Sequence, residues 1–164
     1  HFQVADTGSD WDLGTGEWTI ETYMRPTDAP IGKLFDLASD LVVGQLNSNA
    51  PYFRNKVEST NYDVNTLPLA YQDTWYHYAA VRTGNTLLAF LNGIQIGSSD
   101  VTGKDEQTNN DLGVGGEVGS TADFKGLIDN ARWAKGIARY TATFTPPTDY
   151  EEESTGTHRM FMVF

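Results

Sequence analysis

The carboxylates that could do chemistry on a sugar chain are found first in "GEWTIETYMRP", Gly16 to Pro26. If this stretch is extended, Glu17, Glu21 and Arg25 fall on one face, because side chains alternate along a strand with a period of two. A retaining glycosidase needs two carboxyl groups about 5–5.5 Å apart. Residues i and i+4 of a strand lie roughly 13 Å apart, and only a bulge draws them closer. The set therefore reads as exposed or Arg-paired carboxylates, and no residue is assigned a catalytic role. The histidines His1, His77 and His158 are too scattered for a zinc site. His77, in "WYHY", reads as a structural, hydrogen-bonded residue. With no cysteine in the chain, thiolate zinc and disulfides are both excluded.

Binding chemistry is better represented. A sugar site sets an aromatic face against C–H surfaces and planar amides or carboxylates against hydroxyls. "ESTNYDVN" supplies Asn61, Tyr62, Asp63 and Asn65 in what reads as a polar turn, and Tyr52 lies shortly before it. These five residues form the candidate glycan set, against the plainer reading that Tyr and Asn are ordinary loop residues. In "DEQTNNDLG", Asp105, Gln107, Asn109 and Asp111 alternate like the opening of a calcium loop. Asn110 stands where the turn glycine is required, and no closing Glu follows. A solvated loop is the preferred reading there.

The elements that must hold these residues are strands. "WYHYAAVRTGNTLLAFLNGIQIGSS", Trp75 to Ser99, predicts a meander: strands over Trp75–Arg82, Thr86–Leu91 and Ile94–Gly97. Asn92-Gly93 forms the tight turn, where both residues tolerate positive φ. Trp18, Ile20, Thr22 and Met24 share the opposite face of the earlier strand, which Pro26 ends. Further strands are predicted at Lys33–Leu37, Leu41–Leu46, Tyr52–Val57, Leu67–Tyr71, Leu112–Gly116, Phe124–Trp133 and Met160–Phe164. Trp18, Trp75 and Trp133 are expected to pack in the core or at an edge. Many short strands joined by Gly, Asn and Asp turns indicate an all-β, two-sheet antiparallel sandwich. In "AKGIARYTATFTPPT", a short helix is expected near residues 135–141. Ile137, Tyr140 and Phe144 would dock on the sandwich edge before Pro146-Pro147 forces an extended exit.

The 164 residues fit one domain, 1–164. Asp and Glu number 22 against 11 Lys and Arg, for a net charge of -11. Such a surface repels phosphate backbones and anionic lipid, so neither nucleic acid nor membrane insertion is expected. No apolar run approaches the roughly 20 residues that span a bilayer. The chain reads as if cut from something longer.

Three stretches resemble the laminin-G-like branch of the concanavalin A-like lectin/glucanase superfamily: Asp10–Pro26, Thr74–Gly97 and Phe124–Pro147, in the family's order and spacing. The resemblance implies a jelly-roll sandwich. The tail "KGIARYTATFTPPT" is similar to a variant seen in tailed-bacteriophage virion proteins and in bacterial surface proteins. This implies a virion-surface or extracellular setting. The implied partners are a host cell-surface glycan, neighbouring virion subunits, or both. Family members usually open with an "L-x-F-D-G" strand that is absent here. The Glu-x-Asp-x-x-Glu motif of the glucanase relatives is absent too, which implies a non-enzymatic recognition module. A subunit-contact module and a glycoside hydrolase or lyase remain as alternatives. The resemblance also implies a structural calcium at Asp129, with Asp6 and Asp10 as partners; the plainer reading gives Asp129 hydrogen bonds from the main chain or from Arg132.

Overall fold

The computed structural model describes residues 1–8, 10–27, 32–38, 41–47, 50–58, 60–65, 74–106, 110–120, 123–148 and 159–162. The strands are β1 Phe2–Val4, β2 Trp18–Pro26, β3 Phe35–Leu37, β4 Leu41–Asn47, β5 Ala50–Val57 and β6 Thr60–Asn65. They continue with β7 Tyr76–Thr83, β8 Thr86–Leu91, β9 Ile94–Asp100, β10 Leu112–Val114, β11 Gly126–Lys135 and β12 Arg159–Met162. Two six-stranded antiparallel sheets result, ordered β1-β10-β3-β4-β5-β6 and β12-β11-β2-β7-β8-β9. The strand predicted at Leu67–Tyr71 lies outside the described residues.

The alternation in β2 sets the sandwich. Trp18, Ile20 and Met24 enter the core with Tyr78 and Ala80 of β7 and Trp133 of β11. Phe35, Leu37, Val43, Val57, Leu112 and Val114 approach from the other sheet. Burial of such side chains contributes about 1.5–3 kcal/mol each. One polar tie crosses this core: the Tyr78 hydroxyl donates to Asn55 Oδ1 at 3.0 Å, and the same oxygen accepts the Gly44 N–H at 3.1 Å. Burial raises the Tyr78 phenol well above its ordinary value, despite the Asn55 bond.

Two expectations are corrected. The described residues contain no helix. Residues 136–147 instead run as an irregular strap across the outer face of the second sheet, not along its edge. The strap is tied at intervals. Gly136 N–H donates to Glu17 O at 2.7 Å, and the Thr19 hydroxyl donates to Ile137 O at 2.9 Å while accepting the Arg139 N–H at 3.0 Å. Phe144 N–H donates to Gly93 O at 3.0 Å, and the Tyr23 hydroxyl donates to Pro147 O at 2.8 Å. Under the strap, Ala79, Val81, Leu88 and Phe90 form a second apolar cluster, closed by Ala138, Tyr140 and Phe144. A sheet face with apolar residues on both sides needs such a cover. The second correction concerns Trp75, which is exposed just before β7 rather than packed.

The Asn92-Gly93 turn forms as expected, with φ of 50° and 77°. A Cβ at Gly93 would overlap the Phe144 carbonyl, so the turn and the strap share one position. Gly93→Ala is expected to cost about 1–3 kcal/mol, read as a lowered midpoint in thermal denaturation. An unchanged midpoint would mean that the strap does not press on this turn.

Candidate functional site

The strap covers a buried ionic cluster. Glu21 on β2 faces His77 on β7 and Arg132 on β11, and all three side chains are almost wholly buried. Arg132 donates to Glu21 Oε1 through Nε at 2.7 Å and through its Nη2. The other carboxylate oxygen, Oε2, accepts His77 Nε2 at 2.9 Å and the Tyr140 hydroxyl at 3.0 Å. The His77 ring is enclosed by Tyr23 at 4.9 Å and Phe144 at 5.7 Å between centroids, and Tyr140 stacks on Phe144 at 3.5 Å. Asn92 fixes the main chain of His77, accepting its N–H at 2.9 Å and donating to its carbonyl at 2.8 Å.

A bulge makes the cluster possible. Ile128 pairs with Met24 and Asp129 with Tyr23, but the register shifts before Arg132 pairs with Glu21, and Asn130 there has φ 50°. Strict alternation from Ile128 would have sent Arg132 inward. The extra residue turns Arg132 to the outer face and Trp133 to the core.

Burial alone would raise the Glu21 carboxyl. The His77 hydrogen bond and the Arg132 charge outweigh it, and the group ends below its ordinary value. Burial, then the neighbouring carboxylate, push the Tyr140 phenol well above its ordinary value. A second buried pair lies elsewhere: Arg82 Nη1 donates to Glu106 Oε2 at 2.6 Å.

The candidate glycan residues lie on the other sheet. "ESTNYDVN" is not an open turn, because Thr60–Asn65 forms β6, the edge strand paired to β5. Tyr62 is half-buried and packs against the core. Asn61 and Asp63 are exposed; Arg54 grips Asp63 through Nε at 2.6 Å and Nη2 at 2.9 Å, which lowers the Asp63 carboxyl. Asn61 pairs in register with Lys56, and Tyr52 with Asn65, two residues along from the Arg54–Asp63 pair. The outer face of β5 and β6 thus gathers Asn61 and Asp63 with Arg54 and Lys56, while Tyr62 points away.

The residues considered for calcium are not gathered into a cage. Asp129 accepts the Asn130 N–H at 2.8 Å, and Arg132 goes to Glu21 instead. Asp6 accepts the N–H groups of Gly8 and Asp10 at 3.3 and 3.2 Å, and Asp10 accepts the Thr7 hydroxyl. Asp111 accepts the Asp6 N–H at 2.9 Å and Gln3 Nε2 at 2.7 Å. Gln107 and Asn109 lie outside the described residues. Among the described residues no three His, Asp or Glu side chains come together as a metal site. Calcium takes 6–8 oxygens, and the described carboxylates alone do not supply such a set.

The sequence model of the concanavalin A-like lectin/glucanase superfamily, in its laminin G form, matches residues 1–137. The chain belongs to this superfamily. Among solved structures, it is similar to a putative carbohydrate binding protein from Bacteroides ovatus: TM-score 0.67, 17% identity, 84% of this chain and 42% of that one. It is also similar to domains LG4-5 of the mouse laminin alpha1 chain: TM-score 0.61, 16% identity, 90% of this chain and 44% of that one. A third is domain 4 of a GH43 extracellular arabinanase from Geobacillus stearothermophilus, solved with arabinotriose: TM-score 0.58, 19% identity, 83% of this chain and 66% of that one. The chain therefore spans less than half the length of the first two. No curated protein shows significant sequence similarity to it.

For a concanavalin A-like chain the decisive chemical question is whether Glu21 could act on a glycosidic bond. Both its oxygens are occupied, it is sealed from solvent, and its carboxyl is lowered where a general acid needs a raised one. Its role is to hold the strap. The sequence placed Glu21 correctly on the non-core face and His77 in a hydrogen bond. It missed that the face is covered, because the covering segment was expected at the sandwich edge, and it missed Arg132 as the partner of Glu21, because that pairing depends on a bulge.

Removing one partner of a buried pair strands the other charge, at about 3–5 kcal/mol. Arg132→Met should therefore lower stability by that amount in denaturant titration, and Tyr140→Phe by about 1–2 kcal/mol. A near-neutral Arg132→Met would show the cluster to be incidental. The pH dependence has a fixed sign. A lowered folded pKa stabilises the fold above the ordinary Glu value of 4.5, and that contribution is lost as pH falls through the folded value. Glu21→Gln should flatten the acid limb of stability against pH; an unaltered limb would contradict this assignment.

Proposed function

We propose that this chain is a non-catalytic carbohydrate-binding module of a virion-surface or extracellular protein, directed at a host cell-surface glycan. One observation carries the reading. The buried carboxylates among the described residues, Glu21, Asp36 and Glu106, are all locked in ion pairs. Exposed hydroxyl-binding groups line β5 and β6 instead. Asn61 and Asp63 offer planar hydrogen-bonding groups there, backed by the rigid Arg54 fork. The carbohydrate-binding protein and the arabinotriose-bound domain among the similar structures support the reading by fold analogy. The virion setting rests on the "KGIARYTATFTPPT" tail.

A second reading, a subunit-contact module, is favoured by the exposed Phe2 on edge strand β1, since an open edge accepts strand addition. Isothermal titration with neutral oligosaccharides chosen from a glycan array separates the two. Binding should weaken about tenfold in Asn61→Ala and Asp63→Ala, and chelator should leave both affinity and melting temperature unchanged. No binding across the array would favour the subunit-contact reading, and loss of binding with chelator would restore a calcium role.

A further inference from the structure

The strap covers the outer face of the second sheet as far as Tyr23, and the end of that face beyond it carries an unusual row. Leu127 on β11 pairs with Arg25 on β2. Met24 pairs with Tyr76, so Trp75 follows beside Arg25. Trp75 and Leu127 are 42% and 47% exposed. The Arg25 guanidinium carbon lies 5.6 Å from the centre of the Trp75 ring. Its Nε is buried and meets no hydrogen-bond acceptor among the described residues. Lys125, exposed two residues before Leu127, has no ion-pair partner among the described residues either. Among the described residues no carboxylate pairs with either of these two neighbouring cations, in a chain with twice as many acids as bases.

The Arg25–Trp75 contact explains what the row can hold. A guanidinium held at cation–π distance from an indole, with Nε closed off, still presents its two outer Nη groups, an edge that can meet a carboxylate with two parallel hydrogen bonds. The exposed remainder of Trp75 and the Leu127 side chain offer an apolar surface at the same level, suited to the C–H face of a pyranose. We infer that Arg25, Trp75 and Leu127 form a second saccharide site, separate from β5 and β6, that selects a uronate residue through its carboxylate. This rests on the carbohydrate-binding reading and adds a substrate class to it. An acidic peptide would satisfy Arg25 but would make no use of a flat aromatic–aliphatic row.

The test is titration of the whole chain with oligogalacturonate, oligoglucuronate and oligomannuronate. The methyl esters of these probes, neutral oligosaccharides and oligoglutamate serve as comparisons. At least one uronate probe should bind and quench Trp75 emission, its methyl ester should bind roughly tenfold to a hundredfold more weakly, and Arg25→Gln should cause a similar loss. Trp75→Ala should weaken binding while melting normally, because the residue lies outside the core. Leu127→Ser serves as a second variant with little effect on folding. Binding of neutral sugars without any uronate preference would overturn this inference and leave the broader reading standing. Binding of no saccharide at all would remove both. Uronate binding that Arg25→Gln leaves intact, or oligoglutamate binding as tightly as the uronate, would overturn the site as assigned.

Discussion

A carboxylate removed from water must have its charge answered at close range, and in this molecule that carboxylate is Glu21. Stranding it in a low-dielectric interior would cost several kcal/mol, yet it lies fully buried on what would otherwise be a solvent-facing sheet surface. Arg132, His77 and Tyr140 answer it from three directions. Two of these partners come from neighbouring strands and the third from the strap. The hydrogen bond from the Tyr140 hydroxyl to Glu21 therefore fastens an irregular segment, without periodic hydrogen bonds of its own, to the sheet beneath it. The aromatic stack of Tyr140 on Phe144 then seals the cluster from water.

This closure limits where the proposed recognition can happen. With residues 136–147 laid over the second sheet, most of that face is unavailable to a ligand. Among the described residues, exposed surfaces outside the strap include the outer face of β5 and β6 and the end near Trp75. The first is built on paired strands, and the second on the paired Arg25 and Leu127 with Trp75 just before β7; paired strands hold side chains more rigidly than loops do. The net negative charge makes the cations at these places notable, since each stands against the overall field.

Much of the fold was legible in the sequence because local rules agreed with one another. The period-two pattern in Trp18–Met24, the Asn92-Gly93 turn and the apolar run Thr86–Leu91 each pointed to the same meander. The failures have specific causes. Trp75 follows the alternation of β7 yet lies one residue outside it, where the pattern says nothing of cover. "ESTNYDVN" looks like a turn by composition, but Glu58 already takes a positive φ of 41° and the rest pairs with β5. The strap looked helical because Ile137, Tyr140 and Phe144 have helix-compatible spacing; extended packing on a flat apolar face uses the same residues. The bulge at Asn130 leaves only a faint signal, an asparagine that tolerates positive φ, and without it neither Arg132 nor the buried cluster could be located. The set Asp6, Asp10 and Asp129 is a different case: it came from family likeness and not from the local pattern, and in the structure all three carboxylates accept hydrogen bonds from their own loops or neighbours.

The claim underlying this account is that the buried carboxylates Glu21, Asp36 and Glu106 hold the shape of the chain and cut no bond. Prolonged incubation of the purified protein with a polysaccharide that it binds, followed by chromatographic sizing of the polymer, addresses this most directly. The account predicts a chain-length distribution identical to that of the untreated polymer. Progressive shortening that disappears in the folded Glu21→Gln protein would contradict it.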